Sequence, residues 1–245
     1  MCVNGPRNDG GESNRESNQE LGGGAEVGVE NGEDEESGDE STVFDQRARR
    51  SPGDPRPDRQ AFVRSALIFY GVMGCIALIW RMSASSDSIL TPGGPDSLAA
   101  SGMISAAFAG LVVGLAAVGL SEWLTRGTKL GERLADLLGE SLVGITAGDA
   151  ILLALASGMA EEMLFRGALQ PAVGIVWASL LFGACHFLPR RELAIWSVYA
   201  VLMGFAFGWL FEWTGNLLAP IVAHTVVNGI NLPRLARRYE ELNDD

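Results

Sequence analysis

The chain has 245 residues, a formal net charge of −12 and a mean hydropathy of +0.17, an average over a polar head and an apolar body. Half of the 30 acidic residues and most of the net charge precede Ala61. The acidic balance therefore belongs to a tail, and with no basic patch in the remainder a nucleic-acid role is excluded. Cys2, Cys75 and Cys185 have no paired spacing, which excludes a disulfide framework or a zinc ribbon.

Residues 1–60 are rich in Gly, Glu, Asp, Asn and Ser, and no lipoprotein signal precedes Cys2. The run Glu33, Asp34, Glu35, Glu36 has no apolar partner to bury. Such a segment cannot offset its ordering entropy and is expected to be disordered. It closes in the turn-rich stretch Ser51–Pro57, after Arg47, Arg49 and Arg50. The expected organisation is a tail at 1–60 and one domain at 61–245.

From Ala61 the pattern changes. Ser65–Trp80 and Ser97–Ser121 are charge-free apolar runs, and a third starts after Asp149 and runs into Glu161. Ala168–Leu188, Leu193–Phe211 and Trp213–Pro233 are uncharged as well. Each is near the roughly 20 residues that cross a bilayer. The fold class expected is all-α, a polytopic transmembrane bundle of about six spans.

Loop charges give an orientation. Arg47 to Arg64 precede the first span, Arg126, Lys129 and Arg133 follow the second, Arg190 and Arg191 the fourth, and Arg234, Arg237 and Arg238 the sixth. The other connections are poor in cations, so the pattern predicts both ends in the cytoplasm. Lys129–Leu142 has Leu130, Leu134, Leu137 and Leu138 at helical spacing and reads as an amphipathic helix on the cytoplasmic surface. Gly102, Ala106, Gly110 and Gly114 recur at every fourth place, as do Gly204 and Gly208. Small residues at this spacing let helix backbones approach closely, here inside the bundle rather than at a dimer interface. The sequence carries no further sign of an oligomeric state.

An ionisable group within a span costs roughly 2.5–3.5 kcal/mol on the insertion scale, so it marks function by default. Glu161, Glu162 and Arg166 share one apolar segment. The only two histidines, His186 and His224, both lie inside spans, and Asn228 follows His224 by one helical turn. Glu162 and Arg166, four apart, share a helix face in the favourable order for an ion pair. Glu161 is rotated about 100° away and has Phe165 at its own i+4 position. It is the acid left for another task, unless both carboxylates serve one structural network with Arg166.

Depth brings the polar residues together. Asp149 is expected to cap the third span and Pro171 to mark the turn into the fourth. By helical rise Glu161 then lies about 15 Å below that turn and His186 about 22 Å. From the next turn, near Asn216, His224 lies about 12 Å and Asn228 about 18 Å deep. A carboxylate, two imidazoles and an amide in one dry layer suit hydrolysis. A Glu acts as base toward water with a histidine's help, while a second histidine and an Asn donate to a developing oxyanion.

Glu161-Glu162-Met163-Leu164-Phe165-Arg166-Gly167 resembles the EExxxR signature of the CPBP family, the CAAX proteases and bacteriocin-processing enzymes. Phe182–His186 resembles its FxxxH motif, and His224–Asn228 its HxxxN motif. The resemblance covers roughly residues 150–232. It implies an intramembrane glutamic endopeptidase of the bacterial plasma membrane, or of the ER membrane in a eukaryote. Its substrates would be membrane-associated or lipid-modified proteins, met in the membrane lipid. By the resemblance Glu161 and His186 activate water, His224 and Asn228 form the oxyanion hole, and Glu162 and Arg166 support the site. No cofactor is implied; the family's earlier zinc assignment gives way to the glutamate mechanism.

Other membrane proteases fit the residues less well. No two histidines stand in an HExxH pattern. Thr146 replaces the first Gly of a GxGD motif before Gly148-Asp149. A rhomboid-like pairing of Ser157 with His224 leaves Glu161, Arg166 and His186 unexplained. Two readings from other classes stay open: a non-catalytic scaffold or bacteriocin-immunity protein, and a small transporter with a Glu/His proton relay, although no inverted repeat of the polar motifs is present.

Overall fold

The computed structural model describes residues 58–85, 88–91, 100–187 and 191–243, without the side chains of 100 and 191–194. The tail expected to be disordered lies outside these residues, except for its last three. There Asp58 caps the first helix, its carboxylate accepting from the backbone N–H of Gln60 at 3.0 Å and of Ala61 at 3.2 Å. The helical domain thus begins two residues ahead of the expected boundary.

The described residues are all-α. Helix α1 is Arg59–Ala84, α2 Ala100–Gly127, α3 Lys129–Glu140 and α4 Ala147–Glu162. A π-helical segment, Met163–Leu169, continues α4 into α5, Gln170–Cys185. Helices α6, Arg191–Thr214, and α7, Leu218–Asn243, complete the order. Helix α4 starts on a capping box: Thr146 Oγ1 accepts from Asp149 N at 3.2 Å, and Asp149 Oδ2 accepts from Thr146 N at 2.8 Å. Thr146, not Asp149, is therefore the N-cap, and Asp149 is its partner three residues on.

The turn into the returning limb also differs from expectation. The helix runs on past Pro171, which follows directly on the π-helical segment. The break comes at Gly174, whose φ of 80° an L side chain rarely adopts. Glu161 and His186 then lie thirteen and twelve residues from the turn, or about 20 and 18 Å along their limbs. The revised turn puts them at more nearly equal depth than Pro171 did.

Helix α7 lies at the centre, packed most extensively on α2 and α4, with α3 beside its basic end. Helix α6 pairs with α5, and α1 lies against α4 and the π-helical segment. The α2–α7 contact uses the small-residue stripe. A Cβ on Gly114 would lie 2.8 Å from Ala223 O, and one on Gly110 would strike Ala219 O. The stripe therefore serves packing inside the bundle. Ala106, Ala117, Tyr199, Met203, Phe207 and Leu210 fill the core between α2, α6 and α7.

Four described stretches are long and apolar enough to cross a membrane: Arg59–Ala84, Ser101–Gly127, Ala147–Cys185 and Ile195–Thr214. Their outward side chains are large and apolar, Ile104, Phe108, Trp123, Trp177 and Trp209 among them. The protein is an integral membrane protein with four such helices, not clearly the six expected. The shortfall has two physical causes. Ala147–Cys185 is one 39-residue run that bends at Gly174. Helix α7 carries His224, Asn228, Asn231 and then Arg234, Arg237 and Arg238, which hold its hydropathy down. Lys129–Glu140 forms the expected amphipathic helix, with Ala135 and two glycines buried.

Candidate active site

The two adjacent glutamates end α4, just before the π-helical segment begins. π-helical turns are rare and concentrate at functional sites. Here the backbone N–H of Gln170 reaches back five residues to Phe165 O.

Glu162 is fully buried and holds two partners. Arg166 Nη1 donates to its carboxylate at 3.0 Å, and His224 Nδ1 bonds Glu162 Oε1 at 2.7 Å. Arg166 Nη2 donates to Gly204 O at 3.0 Å. The same guanidinium lies over the Phe182 ring, 4.5 Å from its centroid, and 5.7 Å from that of Phe207. The expected Glu162–Arg166 pair is present. Its link to His224 was not foreseen, because it joins α4 to α7 and no spacing along the chain encodes it.

Glu161 faces the other way. Its Oε2 is buried without a hydrogen-bond partner among the described residues and lies 3.8 Å from His186 Nε2. His186 caps the end of α5, and its Nδ1 bonds Phe182 O at 2.7 Å. A carbonyl only accepts, so Nδ1 carries a proton and Nε2 is the ring nitrogen turned to Glu161. Phe182 stacks at a tilt on His186, 4.6 Å between ring centroids, and meets Phe165 edge to face at 5.0 Å.

Asn228 sits apart from the histidines' own bonds. Its Nδ2 donates to Ser157 Oγ at 2.8 Å, and Ser157 Oγ donates to Ala154 O at 3.3 Å. Ser157 therefore bonds Asn228 rather than His224, unlike the pairing a serine mechanism needs. Gly158, next to it, is required by packing: a Cβ there would lie 2.6 Å from Thr225 Oγ1 of α7.

The structure thus brings Glu161 to His186, and Glu162 to Arg166 and His224, while Asn228 is reached through Ser157. A cavity of about 320 Å³ between α2, α3, α6 and α7 has Asn228, Trp196 and Tyr199 in its wall, with Arg126, Arg234 and Arg238 toward the basic ends of α2 and α7. Among the described residues no three His, Cys, Asp or Glu side chains converge as a metal-ligand set. Cys75 and Cys185 are free and exposed, and Cys2 lies outside the described residues.

Comparison with known proteins bears on the same segment. The uncharacterized protein YpbD of Bacillus subtilis (strain 168) is 39% identical over 97 residues, 39% of this chain and 49% of that protein. The chain thus spans about half the length of this curated relative. No solved structure matches. Residues 143–230 match the family described as type II CAAX prenyl endopeptidase Rce1-like. That segment holds all six motif residues, and over it the protein carries an Rce1-like CAAX protease match, consistent with the CPBP-type family its motifs resemble.

Proposed function

We propose that this protein is an intramembrane endopeptidase that hydrolyses a peptide bond of membrane-associated or lipid-modified proteins, with Glu161 and His186 activating the water. The observation that carries this reading is that Glu161 Oε2 and His186 Nε2 face each other 3.8 Å apart. A water about 2.8 Å from each fits off the line between them and, with Nε2 unprotonated, donates one proton to each. Glu161 takes a proton as the water attacks and passes it to the leaving amine. His224, its ring fixed by Glu162, donates from Nε2 to the oxyanion as an imidazolium, and Asn228 donates its second N–H. Arg166 balances the Glu162 carboxylate. A prenylated CaaX protein is the substrate where the host makes one.

Glu161→Gln tests the assignment. Gln keeps the shape of the side chain but cannot accept a proton as a base. Cleavage of a membrane-tethered reporter peptide should fall on the order of 10²-fold or more with the protein still folded and inserted. Undiminished cleavage would falsify the catalytic role and leave the scaffold or immunity reading.

The same reading includes six crossings with both ends in the cytoplasm, the Gly174 bend separating the third from the fourth and α7 forming the sixth. In a background without native cysteines, single cysteines at Ser85 and Thr214 should react with an impermeant reagent from the far side. Reaction of both from the cytoplasmic side alone would overturn this topology.

A further inference from the structure

We infer that Tyr70, on α1 and outside all three motifs, is a positioning residue of this site: its hydroxyl holds the Glu161 carboxylate and, through Ser157, links it to Asn228. The inference rests on the proposed proteolytic role.

Helix register places Tyr70 there. The buried residues of α1 are Val63, Ala77 and Arg81, and Tyr70 stands one heptad from Val63 and one from Ala77. Residues seven apart share a helix face, and this helix packs against α4 and the π-helical segment. Tyr70 is half-buried, while Phe69, Gly71 and Val72 beside it are exposed. An ion pair sets the axial register: Arg59 Nη1 lies 3.4 Å from Asp149 Oδ2, at the starts of α1 and α4. Further along, α1 also packs against the π-helical segment that follows α4, so the two helices run parallel. From that ion pair Tyr70 is eleven residues on and Glu161 twelve, about 16 and 18 Å along the two axes. Ser157 precedes Glu161 by one helical turn, so both stand on the stretch of α4 that Tyr70 faces.

The chemistry follows from proton counting. An ionised carboxylate only accepts, so the single Tyr70 proton is donated to Glu161. The phenolic oxygen then remains as an acceptor to which Ser157 can turn its one proton from Ala154 O, at 3.3 Å, while Ser157 Oγ accepts from Asn228 Nδ2 at 2.8 Å. One line of side chains thus runs from the water-activating base to the oxyanion donor. A carboxylate held on one side by Tyr70 keeps Oε2 turned to His186. Neither Tyr70 nor Ser157 touches the reacting atoms.

The test is Tyr70→Phe, which keeps the ring and removes only the hydroxyl. Cleavage of the reporter peptide should lose about 10-fold in kcat with KM unchanged, the worth of one hydrogen bond to a charged group. Ser157→Ala should lower kcat in the same direction and by less. Thermal unfolding supplies a readout independent of cleavage: Tyr70→Phe and Glu161→Gln should be non-additive in a double-mutant cycle, as contacting residues are. Wild-type kcat in Tyr70→Phe, with Glu161→Gln inactive, overturns the inference and spares the proteolytic reading. A wild-type protein that cleaves nothing sinks that reading, and additive Tm shifts in the cycle then sink the contact as well.

Discussion

Glu161 and Glu162 are neighbours in sequence, both buried in the bundle and chemically identical, yet the fold surrounds them in opposite ways. Glu162 is closed off, with its carboxylate shared by Arg166 and His224. Glu161 keeps one oxygen uncommitted and turned to a half-buried histidine. One step of helical rotation, about 100°, separates the two fates. An ionised group in a membrane persists when its charge is balanced and bonded, and the proposed chemistry falls to the glutamate with an oxygen left open. Placing both on consecutive residues lets the closed half fix the backbone from which the open half projects.

The largest effect expected falls on the closed half. Glu162→Ala leaves Arg166, which is 1% exposed, as an uncompensated buried cation and takes the acceptor from His224 Nδ1. Cutting one partner from a buried ion pair costs about 3–5 kcal/mol. Thermal unfolding in detergent and the level of inserted protein measure it. Glu161→Ala should cost far less, because neither Arg166 nor His224 is hydrogen-bonded to it. Equal losses in the two variants would mean that the glutamates form one structural network.

On the open half the effect should appear in rate and not in stability. His186→Ala removes the imidazole 3.8 Å from Glu161 Oε2 and exposes no buried charge pair. Cleavage should fall on the order of 10²-fold, about 2.7 kcal/mol in barrier, with little change in Tm. Adding Glu161→Gln to His186→Ala should make little further difference, since groups that act as a unit are non-additive. Multiplicative losses would show two independent contributions and dissolve the pair.

Much of this was legible along the chain, and the limit has a physical form. Helical periodicity relates residues three or four apart, so Glu162–Arg166 and the rotation of Glu161 could be read directly. Hydropathy located the apolar segments, and three motifs in order pointed to the family. Contacts between helices have no such period. Glu162 with His224 and Asn228 with Ser157 both join segments far apart in sequence. Local backbone choices were missed where two signals competed. Pro171 resembled a turn but occupies a first helical turn, and Gly174, three residues on, takes the positive φ. Asp149 resembled an N-cap, while Thr146 fills that role with Asp149 as its capping-box partner. Fewer helices qualify as spans than the apolar runs suggested, because Ala147–Cys185 is one bent stretch and because polarity within α7, the mark of the candidate site, also weakens the mark of a span.

The smallest effect expected belongs to the ring that touches both halves. Phe182 lies under the Arg166 guanidinium at 4.5 Å and against His186 at 4.6 Å, and its carbonyl accepts from His186 Nδ1. It is also within 6.1 Å of His224, ring centroid to centroid. Phe182→Leu keeps the carbonyl and most of the apolar volume and removes the π face. The loss of one desolvated cation–π contact, with the aromatic stacking, should lower stability by about 1 kcal/mol. Because the carbonyl still holds Nδ1, the tautomer of His186 is preserved and only the support of its ring is weakened. Cleavage should therefore fall by a few-fold, well short of the loss in His186→Ala. A stability loss with cleavage untouched would assign Phe182 to the Arg166 side alone. A 10²-fold loss at wild-type stability would show instead that the open half depends on ring packing and not on the hydrogen bond from His186 to the backbone.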